Sequence, residues 1–431
     1  LAAQLSLVFL LSLLLKQRAA LAYTILEVLA FAYAVYIWTK PGTTSYKVGW
    51  IFLILFLPVV GLILYWLWNG GCQSKRLDLK KLPLPQEPAY KLEESRLNIE
   101  KLRQTTPQWA GMASYLNGKG FSLYRNTRAT YLQTGQKFLE DMLDAMERAE
   151  RFIFLEYFIM AEGELWDRLT DVLRRKIDGD IAYTGGANIA DEYADIIQRF
   201  GYWKDCGVRL EGEGAWGLTR EFIFMWERLG GEMHSEHDYY RPMHHALSDG
   251  FCQTVVDGPD NNPDATAEDV FLQMISRARQ TVYITTPYLA IDESMIKALC
   301  LAGDSGVDVR LMMPGIPDHK FAYQVAQSYF PELTEHGVKI YTYTPGLIHG
   351  KTVMVDREAA FIGSVNMDFR SFQLHFECGE ILYRMPAIES LLEDMDQILQ
   401  QSERVTPERI KARPWYLRVA GDVLRLFAMW M

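Results

Sequence analysis

The chain repeats itself, and that constrains its fold more than any other feature. Asp178-Gly179-Asp180-Ile181-Ala182-Tyr183-Thr184-Gly185-Gly186-Ala187-Asn188 reads against Asp356-Arg357-Glu358-Ala359-Ala360-Phe361-Ile362-Gly363-Ser364-Val365-Asn366. In both, the Asp stands seven positions before a Gly and an Asn stands three after it. Upstream, an amphipathic helix over 138–148 feeds an apolar strand over 152–159, and one over 270–278 feeds a strand over 282–289. A further helix follows each strand, near 165–175 and 295–301. A duplicated helix–strand unit buries its apolar faces against its own copy. The predicted fold is therefore α/β, with two α/β/α halves related by a pseudo-twofold and the site between them.

Length and hydropathy set the rest of the plan. At 431 residues the chain exceeds the roughly 100–200 residues of one domain. Apolar residues crowd the first seventy positions. Residues 48–68 carry no charge and end in Tyr65-Trp66-Leu67-Trp68, and Ala19–Trp38 is apolar except for Glu27. About twenty apolar residues in a helix cross about 30 Å of hydrocarbon, so both are expected to span a membrane. In that setting Pro58 and Gly61 are tolerable and Glu27 faces a neighbouring helix or is neutral; a third span is expected within 1–15. Lys75, Arg76, Lys80 and Lys81 outnumber Lys40 and Lys47, which predicts a multi-pass cell-membrane protein with a cytoplasmic body. The domain plan is an anchor over 1–70, a linker over 71–110 (with Pro83, Pro85, Pro88 and Pro107), a first half over 111–230 and a second over 231–412. Residues 413–431 follow as an amphipathic C-terminal helix, either interfacial or docked on the body. A net charge of −10 argues against a nucleic-acid partner. The five cysteines form no CxxC pair and read as reduced thiols.

The chemistry lies in the second half. His349-Gly350-Lys351 is followed by Asp356, Gly363, Ser364 and Asn366, an HxKx4Dx6GSxN pattern. Residues two apart on a strand share a face, so His349 and Lys351 are expected in one cleft. Histidine serves as a nucleophile or acid/base on phosphorus, and Lys351, Ser364 and Asn366 suit phosphate oxygens as donors. Gly186 and Asn188 are their counterparts in the first half. Nothing in the set is a metal cage, so neither a metal nor another cofactor is expected.

This pattern resembles the phospholipase D superfamily, whose hallmark is the motif in duplicate, and most closely its bacterial cardiolipin synthases. Besides the motif, 181–186, Gly201-Tyr202-Trp203-Lys204-Asp205, Val338-Lys339-Ile340-Tyr341, Met367-Asp368-Phe369-Arg370-Ser371 and Leu374-His375-Phe376-Glu377 are similar to that family, so the resemblance covers nearly the whole chain. It implies a phosphatidyltransferase that condenses two phosphatidylglycerols into cardiolipin with release of glycerol, through a covalent phosphohistidine. Phosphatidylglycerol and membrane lipids would be its partners, with a homodimer left open. It further implies that His349, Lys351, Asp356 and Glu377 are catalytic, with Glu377 and Glu156 orienting histidines, and that Asp178 supports the first-half motif. A phospholipase D-type hydrolase and an inactive lipid-binding scaffold are the alternatives.

One departure stands out. Counted back from Asp178, the first-half histidine and lysine fall on Asp171 and Leu173. The second half places about fifty residues between Gly306 and Asp356, where the first half has almost none. Lys176 and Ile177 are thus expected not to be bonded neighbours. The His234, His237, His244 and His245 group reads as a surface loop rather than a zinc site.

Overall fold

The computed structural model describes residues 19–40, 44–68, 87–149, 151–173, 181–233, 237–258 and 265–428. The linkage between Lys176 and Ile177, Asp178, the Lys75–Lys81 cluster, His234 and the third span all lie outside these residues. Two compact units emerge, 1–79 with 426–431, and 80–425.

In the first unit, α1 (Ala19–Trp38) is followed by α2 (Thr44–Phe56) and α3 (Pro58–Trp68). The uninterrupted helix expected over 48–68 is therefore broken. Pro58 has no N–H to continue the ladder, and Gly61 presses on the preceding turn, where an added Cβ would lie 2.7 Å from the Leu53 carbonyl oxygen and from Ile54 Cα. Ala30, Ala34, Ile37, Trp50, Ile54 and Tyr65 are buried among the three helices. Leu21, Ile25, Val28, Phe31, Phe52, Ile63 and Trp66 are exposed, as is Glu27. Among the described residues no helix is long and apolar enough to cross a membrane.

The second unit begins with α4 (Ala89–Thr105) and α5 (Pro107–Gly118). The described part of the expected linker is thus two packed helices, with Leu102, Trp109 and Met112 buried. The first-half elements are β1 (Thr127–Leu132), α6 (Gly135–Arg148), α7 (Glu164–Leu173), β2 (Ile181–Gly185), β3 (Tyr202–Lys204), β4 (Gly207–Gly212) and α8 (Ala215–Arg228). Among the described residues β1, β4 and β2 form its sheet.

The second half runs β5 (Phe251–Asp257), α9 (Thr266–Arg277), β6 (Thr281–Thr285), β7 (Leu289–Ala290), α10 (Glu293–Asp304), β8 (Asp308–Pro314), α11 (Lys320–Glu335) and β9 (Lys339–Tyr343). Next come β10 (Gly346–Ile348), β11 (Lys351–Val355), β12 (Ala359–Gly363), β13 (Met367–Asp368), α12 (Phe369–Gln373), β14 (Glu377–Tyr383), α13 (Ala387–Gln400), β15 (Ser402–Arg404), α14 (Pro407–Ala412) and α15 (Trp415–Arg425). Its sheet has eight strands in the order β15-β9-β8-β6-β11-β12-β14-β5. The β6-β8-β9 ladder is parallel, with α10 and α11 as crossovers, and the pairs from β6 to β5 through β11 are antiparallel.

The two sheets explain each other. From α10 to β12 the second half carries β8, α11, β9, β10 and β11, whereas seven residues separate α7 from β2. The strand β6 is held between β8 and β11. Among the described residues its first-half counterpart, 152–159, has neither neighbour and forms no strand, unlike the strand expected there. An extended segment without flanking strands leaves its N–H and C=O groups without a ladder. What the halves do share is the close approach of two glycine pairs. Gly185 faces Gly207 between β2 and β4, and Gly363 faces Gly379 between β12 and β14. In each pair a Cβ on the first glycine would stand 2.7 Å or less from the partner strand's backbone.

Candidate active site

The short strand β10 adds in parallel to β3, which brings a second-half segment against the first-half Tyr202-Trp203-Lys204 run. The pairing continues one step further, where the His349 N–H donates to the Lys204 carbonyl at 2.8 Å. His349 therefore precedes strand β11 rather than lying in it. Lys351, the first residue of β11, nevertheless meets it as the spacing predicts: its Nζ is 2.7 Å from His349 Nδ1 and 3.0 Å from Nε2. Both side chains are buried, 8% and 4% exposed, so the pair is shielded from bulk water.

The partner of His349 comes from the other half. Asp205 Oδ2 accepts from Nδ1 at 2.8 Å and is fully buried. A neutral imidazole has one N–H. If Nδ1 donates to Asp205, the lone pair is on Nε2, and Lys351 donates to that atom. The ionic arrangement is then carboxylate, neutral imidazole and ammonium. Burial would raise the Asp205 carboxyl, but His349 and Lys351 beside it outweigh that and hold it below the usual carboxylate range. Burial, together with the charge of Lys351, holds His349 below its ordinary value, with Asp205 partly opposing. Burial likewise lowers Lys351, opposed by Asp205 and Glu377. Tyr193 stands edge-on to the imidazole and Trp203 tilts against it, each with ring centres 5.2 Å away.

Gly186 closes the pocket from the first half. Its carbonyl accepts from Lys351 at 3.4 Å, and a Cβ there would lie 2.4 Å from Asp205 Oδ1 and 3.1 Å from Lys351 Nζ. Its contribution is room and a carbonyl. Asn188 is committed to the scaffold: its Oδ1 accepts from the Ile159 N–H at 3.2 Å, and its Nδ2 donates to the Tyr193 hydroxyl at 3.0 Å. It therefore bears on His349 through Tyr193.

A second group forms around Glu377. Ser364 donates a very short bond to Glu377 Oε2, and Ser371 donates to Oε1 at 2.8 Å. Asn366 Nδ2 donates to the Ser371 hydroxyl at 3.0 Å, while its Oδ1 is buried with no partner. His375 Nδ1 lies 3.5 Å from Glu377 Oε1. Glu377 thus orients Ser364 and Ser371, and His349 has Asp205 instead. The two carboxylates are nonetheless equivalent in the repeat. Asp205-Cys206-Gly207 matches Glu377-Cys378-Gly379, and in both the Cys carbonyl accepts from the residue after the motif glycine, Gly186 or Ser364. That three-residue repeat is a signal in the sequence that marks Asp205.

Two other expectations need correction. The Asp356 carboxylate accepts from the N–H groups of Arg279, Gln280 and Thr281 at 2.8–2.9 Å, at the far end of β11. It clamps the start of β6 and makes no contact with His349 or Lys351. Glu156 is exposed on the unpaired segment and has no bond to His349. His245 is paired with Glu213 at 3.0 Å. Among the described residues no group of three or more His, Cys, Asp or Glu side chains is arranged to hold a metal.

Residues 271–399 match the family model described as cardiolipin synthase, PLD-like domain, and residues 28–69 match a phospholipase D-nuclease N-terminal model. An uncharacterized protein of Streptococcus mutans is 32% identical over 443 aligned positions, covering 88% of this chain and 95% of that protein. Proteins named cardiolipin synthase from Halalkalibacterium halodurans and Listeria welshimeri are 29% and 28% identical, covering 88% and 95% of this chain and 88% and 99% of their own lengths. The Streptococcus alignment is longer than the whole 431-residue chain while using 88% of it, so the relative carries residues without a counterpart here. Among solved structures, the phosphatidylserine synthase of Haemophilus influenzae shares the fold, with a TM-score of 0.53 at 12% identity over 72% of this chain and 97% of that one.

Proposed function

The chain belongs to the phospholipase D superfamily, in its cardiolipin synthase branch, and is a phosphatidyltransferase; from that premise we propose that it joins two phosphatidylglycerols into cardiolipin and releases glycerol. The observation that carries the reading is the buried Asp205–His349–Lys351 arrangement. With Nδ1–H held by Asp205, the nucleophilic lone pair is on Nε2. Lys351 leaves Nε2 for a phosphate oxygen as the lipid binds. Nε2 then attacks phosphorus, an N–P bond forms, and the P–O bond to glycerol breaks. The hydroxyl of a second phosphatidylglycerol attacks in turn, releases Nε2 and passes its proton to the group that had protonated the departing glycerol, which restores that group. Because Lys351 neutralises the phosphoryl charge and histidine is the nucleophile, no metal is required.

The departing glycerol needs a proton, and we assign its source to the side of Glu377, which stands to the second half as Asp205 stands to the first. The first-half HxK that would serve there falls on Asp171 and Leu173. His375, 3.5 Å from Glu377, is the described histidine on that side. Ser364 and Asn366 are proposed to turn from Glu377 and Ser371 toward phosphate when substrate enters. We also propose the boundary near residue 230 between the halves. The N-terminal unit is membrane-embedded and multi-pass, with its exposed apolar faces in lipid. The catalytic body is cytoplasmic, by the Lys75–Lys81 charges.

The test is product analysis. The full chain with phosphatidylglycerol vesicles should yield cardiolipin and glycerol in equal amounts. Phosphatidic acid in place of cardiolipin would favour the hydrolase, and no product at all the scaffold.

A further inference from the structure

The C-terminal helix α15 is apolar on two opposite faces, and among the described residues one of them has no protein partner. Its inner face sits on α11. Gly421 makes that approach, since a Cβ there would lie 2.9 Å from the Gln324 carbonyl oxygen. Arg425 stacks over the Tyr329 ring at 4.2 Å, and Arg413, just before the helix, donates to Gln324 at 2.6 Å. Helical positions advance by about 100° per residue, so Trp415, Tyr416, Val419 and Val423 form a stripe turned away from Gly421. These four are 70%, 57%, 50% and 50% exposed. Phe321, one turn before Gln324 on α11, is 72% exposed. A helix already seated through one face gains nothing in water from such a stripe.

We propose that this outer face is a docking surface for an anionic lipid bilayer, lying in the plane of the headgroups. Eleven residues give a helix about 16 Å long, too short to span hydrocarbon and suited to the interface. Trp and Tyr belong at that depth, with an apolar ring body and a polar tip. The charge fits as well. From Pro407 to Arg425 the chain carries five basic residues (Arg409, Lys411, Arg413, Arg418, Arg425) against two acidic ones, in a protein of net charge −10. Lys411 and Arg418 are exposed. A second copy of the chain is the poorer occupant, because a twofold contact through this face would set the same basic residues against one another. The inference stands whichever phospholipid the enzyme transfers.

The experiment uses the full chain reconstituted into vesicles of phosphatidylcholine alone or mixed with phosphatidylglycerol. In a Cys72→Ser background, Val419→Cys carries an environment-sensitive fluorophore, and Val423→Cys is a second, independent position. Both replacements are on the exposed face, and a circular-dichroism melt confirms the fold. The expected result is blue-shifted emission, quenching by nitroxides on lipid chains and protection from iodide, all stronger with phosphatidylglycerol present. Lys411→Gln and Arg418→Gln should each reduce the inserted fraction roughly fivefold. A label equally open to iodide in both vesicle types overturns the proposal. So does protection that rises with protein concentration and shows no quenching from lipid, which would make the occupant a second copy.

Discussion

Replacing Asp205 by Asn changes one atom type at the core of the proposed mechanism. The carboxylate accepts from His349 Nδ1 at 2.8 Å and lies close enough to Lys351 to act on its charge. In Asn, one terminal atom becomes a donor. An amide N–H facing Nδ1 moves the ring proton to Nε2, the atom that must attack phosphorus. Mis-setting an oriented histidine in this way costs about 10²–10⁴ in kcat. A charge-assisted hydrogen bond is also lost, worth about 1.5–3 kcal/mol, so the variant should fold with reduced stability. The pH profile separates this from mere damage. Asp205 raises both His349 and Lys351 against the lowering by burial. Without it both groups lose their protons at lower pH. The acid limb of kcat/KM, set by neutral His349, and the alkaline limb, set by charged Lys351, should both move to lower pH. Measuring kcat/KM on phosphatidylglycerol in detergent across pH decides the matter. Limbs that stay fixed or move upward would refute the pairing.

Other sites give separate outcomes. Gly186→Ala puts a Cβ 2.4 Å from Asp205 Oδ1 and 3.1 Å from Lys351 Nζ; the displaced pair should cost about 10²-fold in kcat, seen with little change in the thermal melt. Asp356→Ala should lower stability by about 1–3 kcal/mol in urea titration, since three N–H groups lose their acceptor and φ +53° no longer has Asp. The rate per folded molecule should stay within a few-fold. The unfolded chain takes up a proton on histidine near pH about 6.5, while burial keeps His349 from doing so in the folded state. Stability should therefore fall as pH drops below that value, and His349→Gln should flatten the dependence in melts across pH. Treatment with a chelator should leave most transferase activity; full loss restored by one metal ion would overturn the histidine–lysine chemistry.

The meeting of His349 and Lys351 was legible in the sequence because the HxK spacing is local: two residues apart is enough to bring Lys351 to the imidazole. The sequence also carried the helices preceding each repeat, since amphipathic spacing is set within a few turns. It failed where the answer depended on distant partners. The segment 152–159 has strand composition, yet among the described residues no counterpart of β8 or β11 holds it. Pro58 and Gly61 were read as tolerable in one helix, and together they fold it back on itself. Asp356 looked catalytic by position in the motif, and only the register of β11 against β6 shows it clamping backbone amides. Asp205 is 144 residues from His349, joined through the β3–β10 pairing that no local pattern announces.

The central claim is that His349 Nε2 forms the covalent link to phosphorus. The most direct measurement is rapid quenching of the enzyme with radiolabelled phosphatidylglycerol, followed by peptide mapping under alkaline conditions, where a phosphoramidate survives. The account predicts an acid-labile phosphatidyl adduct on His349, absent from His349→Ala and depleted when a second phosphatidylglycerol is supplied as acceptor. An adduct on another residue, or cardiolipin formed by His349→Ala at a comparable rate, would contradict it.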